Sequence, residues 1–505
     1  MKILSGAQMA RLDRLSIRRH GISARLLMGN AARACCEEIL ALRLPKKLRR
    51  IVVVCGPGNN GGDGFAVATL LRSKNIEIQV FFLGSAAALS EEARYFHGLA
   101  RDLIHPPRAM AAALCRADLV VDAVFGIGLK RPVTGRYAVA IAAMNRAPGC
   151  KLAVDIPSGI SADTGEAMGT AFRADLTVTF EAPKWGQILP PAWDFVGRLA
   201  VRPIGLSRAE LKKMPSTAEW VDADYFRRHW RPRRRGAHKG DAGRVLVVAG
   251  SREMPGAGYL CAVAALRAGA GLVTWALPEE AYRRIDLRFP EVMLLPVPGR
   301  DGKFAAGSFP ALRAPMRRFQ CLAVGPGLGQ GEGPRRFLED LLSARRPPTV
   351  LDADALNNLA GCWGLPARLR GAIVTPHPLE MSRLSGKSVA SIRANPLAAA
   401  RAFARRHRCW VVLKGYRSVI AGPAGKLWIN SSGGPSLATA GSGDVLTGLI
   451  AGLLAQGFGP EAAVPCAVFL HGLAGDRLAE RLGDRGTIAS DIAKEIPKVV
   501  WEFCG

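Results

Sequence analysis

The sequence is poor in several features that would have pointed elsewhere. Its 11 cysteines contain no Cys-x-x-Cys pair, and only Cys35 and Cys36 stand close together. An odd count without metal-ligand spacing argues against a disulfide framework or a zinc site and for reduced core thiols. No apolar run reaches the length of a membrane span without a charge or turn residue interrupting it, so no membrane partner is expected. Aromatic residues make up only 7%, and no RNA-binding signature interleaves them with basic ones. That scarcity decides how the charge is read. With 69 Lys and Arg against 41 Asp and Glu, the formal charge of +28 invites a phosphate-binding surface. The arginines are scattered across helices, however, so a solvated basic surface with no nucleic-acid partner is expected. A Walker lysine and any short-period repeat are also missing.

What is present describes a folded α/β protein. A chain of 505 residues, 49% apolar and 22% charged, accommodates two or three domains with their own cores. Arg11, Arg14, Arg18, Arg19 and Arg25 hint at a transit peptide, but Asp13 and the periodic Ile3, Met9, Leu12 and Leu15 fit a structural helix better. A cytoplasmic protein is expected. Helices are expected from Ser5 to about Arg19 and from Ile22 to about Leu44, followed by a strand at Ile51–Cys55.

That strand runs into the glycine-rich stretch Gly56–Gly64, with helical periodicity resuming at Phe65. Strand, glycine turn and helix form the nucleotide-binding arrangement of an open parallel sheet. Two further strands end alike, Ala117–Val121 at Asp122 and Lys151–Val154 at Asp155, the latter followed by Pro157-Ser158-Gly159. The carboxyl ends of parallel strands share one edge, so Asn60, Asp63, Asp122, Asp155 and Ser158 are expected to converge there. Singly, each carboxylate reads as well as a loop cap.

After a strand at Leu176–Phe180 and Lys184-Trp185-Gly186, the pattern decays. Lys212, Lys213 and Pro215-Ser216-Thr217 read as a linker, giving domains 1–215 and 216–505. The second half alternates again: a strand Arg244–Ala249, a loop Gly250–Gly258, and a helix Tyr259–Ala270. Then Cys321–Val324 runs into Gly325-Pro326-Gly327-Leu328-Gly329, and Thr349–Leu351 into Asp352-Ala353-Asp354. Ala372–Thr375 leads to Pro376-His377-Pro378, and Cys409–Leu413 to Lys414-Gly415. This is a second doubly wound sheet. Alone, His377 reads as a turn histidine and Lys414 as a surface residue.

The stretch Ala438–Gly448 organises this half. Small residues through Gly443 let a backbone approach a ligand, and a helix is expected from Val445. Free N–H groups and the helix dipole suit a phosphate. Asp444 repels an anion, so it reads either as a helix cap or as a general base beside the anion hole.

In this order and spacing the motifs resemble the bifunctional NAD(P)H-hydrate repair enzymes over nearly the whole chain. The marks in the first half are Met28-x-Asn30-Ala31, Gly58–Gly64, Asp122–Gly126 and Ala153–Gly159. In the second half they are His238-Lys239-Gly240, Gly325–Gly329, Asp352–Leu356, Thr375–Pro378, Lys414-Gly415 and Gly441–Asp444. The resemblance implies an N-terminal Rossmann-like three-layer epimerase domain and a C-terminal ribokinase-like dehydratase domain. The substrates would be hydrated NADH and NADPH, interconverted between epimers by the first domain. The second would dehydrate the S epimer with ADP, and a homo-oligomer is expected.

By the same resemblance, Asn59, Asn60, Gly61, Gly62 and Asp63 bind pyrophosphate, and Gly126, Ile127, Gly128, Leu129, Lys130, Arg131 and Pro132 line the epimerase pocket. Potassium falls to Asn60, Asp122 and Ser158, and the acid/base role to Asp155. In the dehydratase domain Ala257, Gly327, His377 and Asp444 contact the hydrate. Lys414, Gly415, Tyr416, Arg417, Ser418 and Gly443 hold the AMP portion, and Gly441 and Ser442 complete the phosphate cradle. Magnesium accompanies the nucleotide, with Glu380 a candidate ligand. Gly29, Leu379, Gly434 and Ala440 depart from the family's usual Glu, Gly, Asn and Gly. The rival reading is a ribokinase-like kinase of a small alcohol fused to a non-catalytic Rossmann-like binding domain.

Overall fold

The computed structural model describes residues 1–505 except 43, 45–46, 286–289, 363–364 and 505. Two compact α/β units result, Lys2–Ser216 and, joined by Met1, Thr217–Gly505.

In the first unit seven strands form one parallel sheet: β1 (Arg50–Cys55), β2 (Glu77–Phe82), β3 (Ile104–His105), β4 (Leu119–Ala123), β5 (Cys150–Val154), β6 (Leu176–Phe180) and β7 (Arg198–Arg202). Their spatial order is β3-β2-β1-β4-β5-β6-β7. Both faces are covered, which is why Ile51–Val54 is a continuous apolar run. Helices α1 (Gly6–His20), α2 (Ala24–Leu40) and α3 (Asn59–Leu71) cover one face through Leu12, Leu27 and Phe65; Ile141 and Met144 help to cover the other. The strand order reverses between β1 and β4, opening a crevice at their carboxyl ends.

Local details differ from the sequence expectation. Ser23 caps α2, which is shorter at both ends than Ile22–Leu44. α3 begins at Asn59 and not at Phe65, so Gly61, Gly62 and Gly64 are helical. These glycines serve close approach instead of a turn. A Cβ on Gly61 would lie 2.0 Å from Gly56 O, on Gly62 2.6 Å from Met28 Cε, and on Gly64 2.6 Å from Ala123 Cβ. Lys212 and Lys213 lie in no linker; they close the helix Arg208–Lys213, where cations suit the dipole.

In the second unit ten strands form one sheet: β8 (Ala218–Val221), β9 (Arg244–Val248), β10 (Leu272–Pro278), β11 (Val292–Val297), β14 (Cys321–Val324), β15 (Thr349–Leu351), β16 (Ile373–Val374), β17 (Trp410–Leu413), β18 (Val419–Ala421) and β19 (Leu427–Asn430). A separate ribbon pairs β12 (Gly299–Arg300) with β13 (Lys303–Phe304). The order is β11-β10-β9-β14-β15-β16-β17-β18-β19-β8, parallel from β11 to β17 and antiparallel on both sides of β18. Again the order reverses, here between β9 and β14.

The helix Ser442–Ala455 runs through this core against the helix Pro255–Arg267. Their approach is close enough that a Cβ on Gly448 would stand 2.1 Å from Cys261 O. Both helices start earlier than expected. Pro255, with φ preset, occupies the first position of one. Gly441, at φ +84°, caps the other, so Asp444 lies in its first turn and is not the cap. Among the described residues no helix is long and apolar enough to cross a membrane.

Candidate functional site

In the first unit a cleft of about 910 Å³ opens at the carboxyl ends of β1 and β4. Asn59, Asn60, Asp63, Gly126, Ile127, Gly128, Leu129, Lys130, Arg131 and Asp155 line it. Gly61 and Gly62 are instead turned into helix packing, and Pro132 is exposed beyond these lining residues. Asn59 starts α3, where N–H groups lack intrahelical partners, and its Oδ1 accepts from Ser90 Oγ at 2.8 Å.

Beneath the cleft Asp122 is fully buried. It accepts from Ser158 Oγ at 2.6 Å, Ser158 N at 2.7 Å and Val124 N at 3.2 Å. Burial pushes its pKa up to about 6 despite these bonds. Asn60 lies against Gly126, and its Nδ2 is buried without a partner. Burial, then the charges of Asp155 and Asp13, also raises Asp63 well above the usual carboxylate range.

Asp155 is held at φ +64°, a conformation that costs a non-glycine residue of order 1 kcal/mol or more. Gln187 Nε2 donates to its carbonyl at 2.6 Å. Its Oδ1 accepts from Thr179 Oγ1 at 3.1 Å and from Lys184 Nζ at 2.6 Å. The Lys184 side chain is 1% exposed, also donates to Thr179 Oγ1 at 2.7 Å, and lines the cleft. Sequence reasoning passed over Lys184. Its signal was a lysine just past the end of β6, on the same sheet edge as Asp122 and Asp155.

In the second unit the residues following β15, β16 and β17 meet the first turn of the helix Ser442–Ala455. Asp352, 1% exposed, accepts from Lys414 Nζ at 2.7 Å and from Thr447 Oγ1 at 2.8 Å. Glu380, 4% exposed, accepts from His377 N at 2.8 Å and lies 3.8 Å from Lys414 Nζ. His377 is the N-cap of the helix Pro378–Ser385 in a capping box with Glu380. Gly443 stands over this group: a Cβ there would be 3.4 Å from Lys414 Nζ and 3.5 Å from Asp352 Oδ2.

Asp444 is pushed up to about 7, first by burial and then by Asp352, with Lys414 opposing and Asp354 adding a little. The first intrahelical bond is Val445 N to Gly441 O, which leaves the Gly443 and Asp444 N–H groups free of intrahelical partners. His471, also unforeseen, packs behind this turn, its Nε2 2.9 Å from Ser442 O and 3.2 Å from Ser442 Oγ. Burial lowers its pKa to about 4, so it is neutral at physiological pH.

Gly327, at φ +60°, packs against Ala257, where an added Cβ would come within 2.9 Å. Gly415 and Ser418 close the turn after β17, with Ser418 Oγ donating to Gly415 O at 3.0 Å. Tyr416 is exposed beside Arg417, which is buried at φ +57° and bonded to Ser431 O. The departures add little bulk to the interior: Leu379 is 46% exposed, and a Cβ on Gly29 would find nothing nearer than 3.9 Å.

Residues 245–498 match the family described as NAD(P)H-hydrate dehydratase, and residues 24–186 match the YjeF-related protein N-terminus. The bifunctional NAD(P)H-hydrate repair enzyme Nnr of Moorella thermoacetica is 38% identical over 513 residues, covering 99% of this chain and 97% of the relative. Its counterpart in Thermofilum pendens is 38% identical over 510 residues, covering 99% and 96%. A ribokinase-like superfamily protein from Enterococcus faecalis, solved as a crystal structure, is 26% identical with a TM-score of 0.51, covering 57% of this chain and 98% of its own. Two α/β units with these sites, matched from end to end, place the chain in the family of bifunctional NAD(P)H-hydrate repair enzymes.

Proposed function

We propose that the first unit interconverts the epimers of hydrated NADH or NADPH and that the second dehydrates the S epimer at the expense of ADP. The observation that carries this reading is Asp444, a half-buried carboxylate in the first turn of a helix whose Gly443 and Asp444 N–H groups have no intrahelical partner. With its pKa near 7 it accepts a proton at physiological pH and holds it well. Asp444 takes the proton of the ring hydroxyl, and the freed oxygen attacks the terminal phosphorus of ADP. The bond to the bridging oxygen breaks and AMP leaves. The Gly441 and Gly443 amides hold the transferring group, the Ser442 N–H being bonded to Thr439 O at 3.3 Å. Phosphate then departs, expelled by the ring nitrogen lone pair, and loss of a proton from the neighbouring ring carbon restores the double bond. Ala257, Gly327 and His377 shape the hydrate pocket; Lys414 to Ser418 flank the nucleotide.

In the cleft of the first unit, Asp155 exchanges protons with the hydrated ring, and Lys184, 2.6 Å from its Oδ1, holds its carboxylate in place. Asn59, Asn60, Asp63 and the segment Gly126–Arg131 receive the rest of the dinucleotide. Asn60, Asp122 and Ser158 suit a potassium ion. Asp122 is buried with no ion pair among the described residues, and turning the Asn60 amide would present an oxygen where Nδ2 is orphaned. Bound there, the cation offsets the Asp122 charge. Magnesium is different. Glu380 and Asp352 are already taken up by His377 N, Lys414 and Thr447, so neither fits as its ligand; the ion would travel on the nucleotide phosphates.

Turnover tests the proposal. Purified protein given S-hydrate and ADP should restore dihydronicotinamide absorbance, and should consume the R epimer only as fast as epimers exchange. A stable phosphorylated alcohol with no recovered absorbance would instead make the second unit a small-alcohol kinase.

A further inference from the structure

We propose that Lys414 is a catalytic residue of phosphoryl transfer, its ammonium binding the oxygens of the moving phosphoryl group opposite the Gly443 N–H, and that Asp352 is the positioning residue that holds it there. This rests on the ADP-driven dehydration above. It changes the part that Lys414 plays, from a contact to the AMP portion to a contact with the group that AMP leaves behind.

Placement is the argument. Lys414 follows β17, Asp352 follows β15, and the Lys414 N–H is fixed to Pro376 O at 2.9 Å. From there the side chain crosses under the loop after β16 to reach Asp352 Oδ1 at 2.7 Å. This ends directly beneath Gly443, where a Cβ would be 3.4 Å from Nζ. The other Asp352 oxygen is tied at 2.8 Å to Thr447, one turn further along the same helix. Ammonium, carboxylate and helix start therefore form one rigid assembly.

Exposure then separates the members. The Lys414 side chain is 21% exposed, while those of Asp352 and Glu380 are 1% and 4%. The cation is the member that an arriving anion can reach. It is also needed there, because Asp352, Glu380 and Asp444 together would repel a phosphate. A fixed cation beside developing charge in a poorly hydrated site is an effective way to stabilise such a transition state.

The two roles for Lys414 make different predictions. AMP lacks the transferred group, so K414M should leave AMP inhibition within about threefold of wild type while kcat with ADP falls about a hundredfold or more. If Lys414 serves the AMP portion, the AMP inhibition constant should rise in step with the loss. K414R, which keeps the charge, should recover part of kcat. A purely structural pair is tested by combining D352N with K414M, a neutral couple of similar shape. The double variant should regain the melting temperature lost by either single change but not kcat; recovery of both would overturn the assignment. Wild-type protein that fails to turn over hydrate with ADP would instead overturn the function on which this rests.

Discussion

Replacing Asp444 by Asn should trade activity for stability. The change is nearly isosteric, removing the base and its charge while leaving Gly441 to Gly443 in place. Loss of a positioned general base typically costs about 10² to 10⁴ in rate, and kcat/KM for dehydration should fall by that much. In the wild type the group titrates at about 7 rather than 3.8. A carboxylate whose folded pKa is raised binds more protons folded than unfolded between those values. Stability therefore falls as pH rises from about 3.8 to about 7 and is level above. At roughly 1.36 kcal/mol per pH unit, this penalty reaches at most about 4 kcal/mol. Asp444→Asn removes it, so the variant should be more stable by up to about 4 kcal/mol at pH 8 and by less than half of that at pH 5. Urea unfolding at the two pH values, beside dehydration rates from pH 5.5 to about 9, reads both effects. Wild-type activity should drop as pH falls through about 7. A variant retaining a tenth of the activity, or a stability gain independent of pH, would refute the reasoning.

Other consequences follow from the first unit. Lys184→Met leaves the Asp155 carboxylate without its cation, and epimer exchange should slow by at least about tenfold in an NMR exchange assay, since breaking one side of a buried pair strands the other. Potassium should raise the melting temperature more at pH 7.5 than at pH 5, because protonation of Asp122, whose pKa is about 6, removes the charge that the cation would meet. Equal shifts at both values would count against that site. Gly61→Ala should destabilise the first unit by several kcal/mol in calorimetry, as its methyl would lie 2.0 Å from Gly56 O.

Much of this was legible in the chain because a parallel sheet gathers its strand ends on one edge. Asp122, Asp155 and Ser158 could thus be grouped without any structure, whereas Lys414 alone reads as a surface residue and was joined to the glycine turn before Asp444 only by the family resemblance. What was hidden lay in contacts between distant segments. Asp352 and Thr447 are 95 residues apart, and nothing local marks them as partners. Lys184 looked like one basic residue among 69 Lys and Arg, although it is among the largest fully buried side chains. His471 lies in the long helix Pro460–Leu482, where periodicity marks a buried face but not a bond to Ser442. Glycines misled in one place: Gly61, Gly62 and Gly64 read as a loop, yet they let α3 approach β1, β4 and α2 closely.

The central claim is that the ring hydroxyl leaves as part of a phosphate. Hydrate carrying heavy oxygen in that hydroxyl, turned over with ADP, tests it in one mass measurement. The account predicts the label in inorganic phosphate; label released into water would contradict it.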